Sequence, residues 1–202
     1  MEAALQLDRD GVRIAREMGD DEAEANSHVN LGRDYLELGE PARGHEHLNE
    51  AERIFDRDDW YRWRYKLRLE NERARYWIAR GDLKQAAAHA TAALESGKKT
   101  LSRKHWVWAH KLFGDIALLE DRAPDARHEY ERALSILQGH ACPIIEWRIV
   151  LAAADAARRL HADSSAGDLR ARARSLVHSL EESVTEAPLR ERFLGAKVIG
   201  DI

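Results

Sequence analysis

The chain has 202 residues, 44% of them hydrophobic and 34% charged, with four prolines and a formal net charge of −4. That is too apolar for a disordered chain, and the acidic balance argues against a dedicated nucleic-acid surface. The lone cysteine, Cys142, rules out an internal disulfide and fits a reducing compartment, and no run reaches the ~18 apolar residues of a membrane span. The first ten residues, MEAALQLDRD, lack the apolar centre of a signal peptide, so a soluble, cytoplasmic protein without a membrane partner is expected.

β-Branched and aromatic residues hardly ever alternate, so the chain reads as helical throughout. Residues 1–19 form one amphipathic helix, and residues 25–58 form two. Of these two, the first carries Leu31, Gly32 and Tyr35 and the second carries Gly44, Leu48 and Ala51. Gly39-Glu40-Pro41 separates them, and proline suits a first helical turn. Glycine inside a helix costs about 1 kcal/mol relative to alanine, so Gly32 and Gly44 at facing positions predict a close approach of the two backbones.

The same pattern recurs in residues 67–100, 107–140 and 147–180. The turn becomes Gly81-Asp82 and then Asp121-Arg122, and the second-helix stripe becomes Ala86, Ala90, Ala93 and then Ala126, Tyr130, Ala133. The first-helix motif becomes Arg73-Ala74 with Trp77, then Phe113-Gly114 with Ala117. A weaker fourth copy has Ala153-Ala154 with Ala157, followed by Ala166 and Ala173. Gly44, Ala86, Ala126 and Ala166 are spaced by 42, 40 and 40 residues. Such a period indicates a solenoid, in which each helical hairpin buries its apolar face against its neighbours.

Two linkers are expected between hairpins, a polar one at Glu95–Lys104 and a second at Gly139–Pro143. The helix opening near Asp58 and Asp59 is long and carries Trp60, Tyr61, Trp63, Tyr65, Tyr76 and Trp77, rings expected to fill the core of a long repeat. Residues 181–202 form a C-terminal cap, with Leu189, Phe193 and Leu194 covering the end of the stack. By the same period, Ala4 stands where Gly44 stands one repeat later, so residues 1–19 are the second helix of a hairpin without its first. The expectation is a fragment of a longer protein, with an N-terminal cap as the competing reading. An unpaired stripe of Leu5, Val12 and Ile14 would then be available for self-association.

The hairpin at residues 29–55 and its copies resemble the tetratricopeptide repeat. The ending of the chain, with Trp147-Arg148 after Pro-Ile-Ile-Glu and later Ala187–Leu194, is similar to the long-period tetratricopeptide regions that close large bacterial signalling proteins. Those proteins carry an ATPase module of the AAA or STAND type, often with a cyclase, kinase or DNA-binding effector. The resemblance implies an all-α, right-handed superhelical solenoid of antiparallel helix pairs, about four and a half hairpins in a single domain. It also implies a non-catalytic scaffold or sensor module that binds protein or peptide and regulates an effector within a larger protein. The alternative is a free-standing, peptide-responsive regulator. Arg73 departs from the pattern's leucine, and no nucleotide-binding or cyclase motif is present, so the ATPase activity does not carry over.

Chemistry of other kinds finds little support. No two of the ten histidines stand at i, i+4, HExxH is absent, and His45 and His47 point to opposite sides of a helix, so no metal or cofactor is expected. Ser96-Gly97-Lys98-Lys99-Thr100 lacks the upstream glycine and the strand of a phosphate loop, and Cys142 reads as structural. In arrays of this type the first helices line a concave groove. Carrying those places over gives Asn26, Asn30 and Arg33, then Arg64, Arg68, Asn71 and Arg75, then Trp108, Lys111 and Asp115, and finally Arg148 with Asp155 and Arg158. Asparagines suit an extended peptide backbone and guanidiniums suit carboxylates, so an acidic or carboxylate-bearing peptide is the expected ligand.

Overall fold

The computed structural model describes residues 2–57, 59–140 and 142–195, and the side chains of residues 2, 59–64 and 192 lie outside that description. Among the described residues there are ten helices and no strand: α1 Glu2–Met18, α2 Asp21–Glu37, α3 Pro41–Phe55, α4 Asp59–Arg80, α5 Leu83–Lys99, α6 Arg103–Leu119, α7 Ala123–Ile136, α8 Pro143–Arg159, α9 Asp163–Ser183 and α10 Ala187–Leu194. The fold is tetratricopeptide-like, with successive helices packed as pairs. The chain divides into two compact units, Met1–Leu112 and Phe113–Ile202.

All four prolines stand in first turns, those of α3, α7, α8 and α10, where a missing N–H costs no helical bond. Asp20 and Asp82 cap α2 and α5 by accepting from the backbone amides of Ala23 at 2.9 Å and Gln85 at 3.0 Å. Between the helices of each hairpin the backbone makes the same turn. Gly39, Gly81, Asp121 and His161 each adopt a left-handed φ of 56–76°. The next amide, of Glu40, Asp82, Arg122 or Ala162, donates to the carbonyl of Tyr35, Trp77, Ala117 or Ala157 at 2.9, 3.0, 2.8 and 3.0 Å. This pairing satisfies carbonyls that a helix end leaves open.

In the first unit α1 packs on α2, α2 on α3 and α4, α3 on α4, and α4 on α5. Its main core joins Ala25, Val29, Leu48, Ala51, Ile54, Phe55, Leu69 and Tyr76. Burying a leucine or isoleucine of this kind stabilises by about 1.5–3 kcal/mol. The close crossing of α2 and α3 is present as expected. A Cβ on Gly32 would lie 2.5 Å from Leu48 Cδ2, and one on Gly44 would lie 2.9 Å from the Gly32 carbonyl oxygen. Size is matched across the repeat. Gly114 likewise faces the Tyr130 ring, whereas the equivalent pair Ala74 and Ala90 is alanine on both sides and fully buried.

In the second unit α7 packs on α8, α8 on α9, and α10 on α9. Ile145, Trp147, Ile149, Val150, Ala154 and Ala156 are buried to 2% exposure or less, and Ala166 and Ala173 are buried on α9.

Several expectations need correction or placing. The stretch from Glu95 is helix as far as Lys99 rather than linker, because the Trp106 ring sits over Gly97, 2.7 Å from where its Cβ would be. In the cap, Leu189 and Leu194 are 49% and 41% exposed, so α10 leaves much of its apolar surface in water. Tyr65 stacks on Phe55 with ring centres 5.8 Å apart, and Tyr76 stacks on His45 at 4.2 Å, which makes these rings packing groups. Trp60, Tyr61 and Trp63 belong to the side chains outside the description, as does the capping residue Asp58.

Candidate functional site

The polar face of the first unit is built on α2 and α4. Asn26, Asn30 and Arg33 are spaced by four and three residues on α2, and Arg68, Asn71 and Arg75 by three and four on α4, so each triplet shares one face. Arg68 joins the helices. Its Nη1 donates to Asn26 Oδ1 at 2.8 Å and its Nη2 donates to Asn30 Oδ1. The Asn30 amide in turn donates to Asp8 of α1 at 2.8 Å. Burial pushes the Asp8 carboxyl up, with Asp34 adding to the effect and the Asn30 bond opposing it.

Among the described residues, the other guanidiniums taken for this face, Arg33 and Arg75, are paired with acids. Arg33 donates to Asp34 Oδ1 at 3.2 and 3.1 Å. Arg75 donates to Glu72 at 2.8 Å and to Glu37 at 2.5 Å. Burial works against the Arg75 charge, but Glu72 and Glu37 together hold its pKa above the usual arginine value. Arg68 is different, since among the described residues its hydrogen-bond partners are neutral amides. Burial lowers its pKa, as does the nearby Arg33, while Glu72, Asp8 and Asp34 act from a distance to support the charge.

Asn71 is buried, and its amide donates to the Leu67 carbonyl at 3.0 Å and meets His105 Nδ1 at 3.0 Å. An amide nitrogen only donates, so the His105 nitrogen accepts and the ring is neutral. Burial pushes His105 down to about 4, helped by Lys104 and Arg68. Among the described residues of these helices two acceptors, Asp34 Oδ2 and Asn71 Oδ1, are buried without a hydrogen-bond partner.

The remaining sequence-derived positions fall as follows. Trp108 and Lys111 are half-buried on α6, and the Arg64 side chain lies outside the described residues. In the second unit Asp115 turns to its own hairpin, where it accepts from the Tyr130 hydroxyl at 2.9 Å. Burial and the Asp115 carboxylate raise the Tyr130 pKa. Arg148 lies 4.9 Å from the centre of the Trp147 ring, and Asp155 accepts from Arg170 at 3.1 Å and Arg158 at 3.4 Å. The stripe expected to be unpaired on α1 is split. Leu5 and Val12 are buried in a cluster with Leu31 and Tyr35 of α2, because they occupy the face turned to the next helix, and Ile14 is exposed with Leu7 and Met18.

A second polar cluster, which the sequence reading missed, joins α1, α2 and α3. His45 and His47 do face different neighbours: His45 stacks on Tyr76 of α4, and His47 stacks on Tyr35 of α2 with ring centres 5.4 Å apart. His47 Nδ1 also lies 2.9 Å from His28 Nδ1. Glu24, one helical turn before His28, approaches His28 Nε2 to 3.8 Å and accepts from Arg16 at 2.6 Å. Donor atoms of Glu24, His28 and Glu50 all lie within 4.8 Å of one another. Burial drives His28 down to about 4, aided by His47, and burial lowers His47 too. The available signal was a pair of mixed spacings, Glu24–His28 at i, i+4 and His47–Glu50 at i, i+3, each on one helical face.

Among solved structures the chain is similar to BtubC from P. vanneervenii, with 16% identity, a TM-score of 0.65, and coverage of 89% of this chain and 74% of that one. It is similar to a signal transduction ATPase with numerous domains and a tetratricopeptide repeat sensor from Pyrococcus horikoshii. There the identity is 16%, the TM-score 0.61, and the match covers 91% of this chain but only 31% of that protein. A Podosopora anserina kinesin light chain with nearly identical TPR-like repeats matches at 17% identity and a TM-score of 0.57, over 90% of this chain and 88% of that one. No protein-family model and no curated protein sequence matches the chain. At these identities the likeness establishes the tetratricopeptide-type fold.

Proposed function

We propose that this chain is a non-catalytic recognition module whose first unit binds an acidic or carboxylate-bearing peptide segment on the α2–α4 face. The reading rests on Arg68. A half-buried guanidinium held by two asparagine carbonyls is fixed in position, and its charge is met by no carboxylate in direct contact among the described residues. A buried cation without a direct counter-ion is costly, so a ligand carboxylate gains both the charged hydrogen bond and relief of that cost. The half-buried Asn26, whose carbonyl holds Arg68, has its amide N–H groups to offer a peptide backbone running alongside.

The likeness to the Pyrococcus horikoshii signal transduction ATPase with a tetratricopeptide repeat sensor supports a sensor role for this chain as well. Binding at Arg68 would then be read out by an effector in the cytoplasm, as part of the same polypeptide or, in the alternative reading, as a free-standing peptide-responsive regulator. The test is fluorescence anisotropy with a pool of acidic peptides bearing free C-termini, against an amidated pool with Gln and Asn for Glu and Asp. The acidic pool is expected to bind, and Arg68→Ala to weaken it by about 1.5–3 kcal/mol, as for a charged hydrogen bond. Equal affinity for the two pools, or an Arg68→Ala protein that keeps its helical circular dichroism and binds unchanged, sinks the reading.

A further inference from the structure

We infer that Arg16, His28 and His47 form an acid-released latch that holds α1 on the α2–α3 hairpin. The three groups make one hydrogen-bonded chain with a fixed direction. The Arg16 guanidinium only donates, and its Nη2 meets His28 Nε2 at 3.4 Å, so that nitrogen carries the lone pair. His28 therefore bears its proton on Nδ1 and donates it to His47 Nδ1 at 2.9 Å, which leaves the His47 proton on Nε2. A third proton on the two rings has only two places to go. On His28 Nε2 it faces the guanidinium, and on His47 Nδ1 it faces the N–H of His28. Either way donor meets donor, so the closed latch holds the rings only as a neutral pair.

The surroundings do little to soften this. Arg9 and Arg16 of α1 and Arg43 and Arg53 of α3 oppose a positive charge on the pair, against Glu46 and Glu50 of α3. On α4, Arg68 and Arg73 bond instead to Asn26, Asn30 and Glu52. His28 is 5% exposed, so burial disfavours the charge as well. The way out runs through Glu24, whose Oε1 stands 3.8 Å from His28 Nε2 and accepts from Arg16 at 2.6 Å. A protonated His28 claims that carboxylate when Arg16 withdraws, and the Arg16 side chain is already more than half exposed. Helix α1 then loses its polar tie beside the Gly19 turn. The hold that remains includes Leu5 and Val12 against Leu31 and Tyr35, and the bonds from Arg9 to Tyr35 and from Asn30 to Asp8. A 17-residue helix parted from its neighbour has little stability of its own in water, so release of α1 is read as exchange of its amides.

The experiment is hydrogen exchange of the 202-residue protein read by mass spectrometry and corrected for the intrinsic exchange rate. It compares about pH 7.5 with about pH 5, a span in which histidines titrate and ordinary carboxylates stay largely charged. His28 titrates near 4 in the closed latch against about 6.5 once released. A depressed closed-state pKa gives a hold that is complete above about 6.5 and is lost as pH falls toward about 4. The opening constant of α1 is therefore expected to rise about thirtyfold between the two conditions. His28→Gln takes up no proton and is expected to make that constant nearly equal in both. Arg16→Gln offers His28 Nε2 an amide carbonyl, so a proton there finds an acceptor, and the acid response is expected to fall below about fivefold whatever the shift in baseline. Equal protection of α1 at the two pH values in the parent overturns the inference. So does a parental response in Arg16→Gln or in a folded His28→Gln. If His28→Gln fails to fold by circular dichroism, Arg16→Gln carries the test.

Discussion

Among the described residues the buried polar and charged side chains are Glu24, His28, Asp34, Glu70, Asn71, Glu72 and His110, and all seven lie in the unit that ends at Leu112. From Phe113 onward the buried residues are aliphatic or aromatic: Trp147, Ile145, Ile149, Val150, Tyr130 and a series of alanines. The buried side-chain atoms left without a partner follow the same division, since Asp34 Oδ2, His45 Nδ1, Asn71 Oδ1, Arg73 Nε and Trp106 Nε1 all belong to the first unit. Burying a polar group is costly unless it is fully bonded, and sequences tolerate that cost where a site needs it. One repeat plan therefore supports two kinds of interior, an apolar one built for stability and a polar one with bonding capacity to spare.

The contrast can be broken at its apolar end. Trp147 is 2% exposed and is the only tryptophan after Phe113. Trp147→Ala is expected to destabilise by about 3–5 kcal/mol, read by urea denaturation followed by circular dichroism. A loss below about 1 kcal/mol would mean that the second unit is not anchored as its packing indicates.

Acid tests the polar end. His105 titrates near 4 when folded against about 6.5 when unfolded, because its burial disfavours the charged ring. A depressed folded pKa contributes stability that is complete above about 6.5 and is lost as pH falls from there to about 4. The expected loss is on the order of 2 kcal/mol, measured by urea denaturation, and His105→Gln should flatten that part of the profile. A parental slope in His105→Gln would show that the polar interior is indifferent to this ring's charge.

The smallest expected effect sharpens the comparison at the turns. The left-handed residue between paired helices is Gly39 or Gly81 in the first unit but Asp121 or His161 in the second. Non-glycine residues pay roughly 1–2 kcal/mol in that conformation, offset in part by glycine's greater freedom when unfolded. Asp121→Gly and His161→Gly are each expected to stabilise by about 0.5–1 kcal/mol in thermal unfolding. Destabilisation by both would mean that their side chains supply more than the strain takes away.

Much of this fold was legible because helical hairpins leave periodic marks. Small residues at Gly44, Ala86, Ala126 and Ala166 gave the period, and each is buried at a crossing or on the packed face. What the pattern hid depends on partners distant in sequence. Gly97 looks like a linker glycine until Trp106 is seen over it. Asp115 has the spacing of a groove residue, yet the Tyr130 hydroxyl draws it to its own hairpin. The arginines of α2 and α4 looked like one basic surface, but Asp34, Glu37 and Glu72 meet Arg33 and Arg75 and leave Arg68 with asparagines. The histidine cluster escaped because its helices pair histidine with carboxylate, so a search for histidine with histidine passes over it.

The turn at Gly39, Gly81, Asp121 and His161 has a consequence for how such a chain changes over generations. Its closing bonds are main-chain only, from the amides of Glu40, Asp82, Arg122 and Ala162, so four different side chains follow the same joint. Substitutions can accumulate there without altering the path of the backbone. The joint also serves as a standard coupling. Duplicating or deleting one module of about 40 residues preserves the connections on either side, so an ancestor could lengthen or shorten the array while each surviving hairpin kept its own packing.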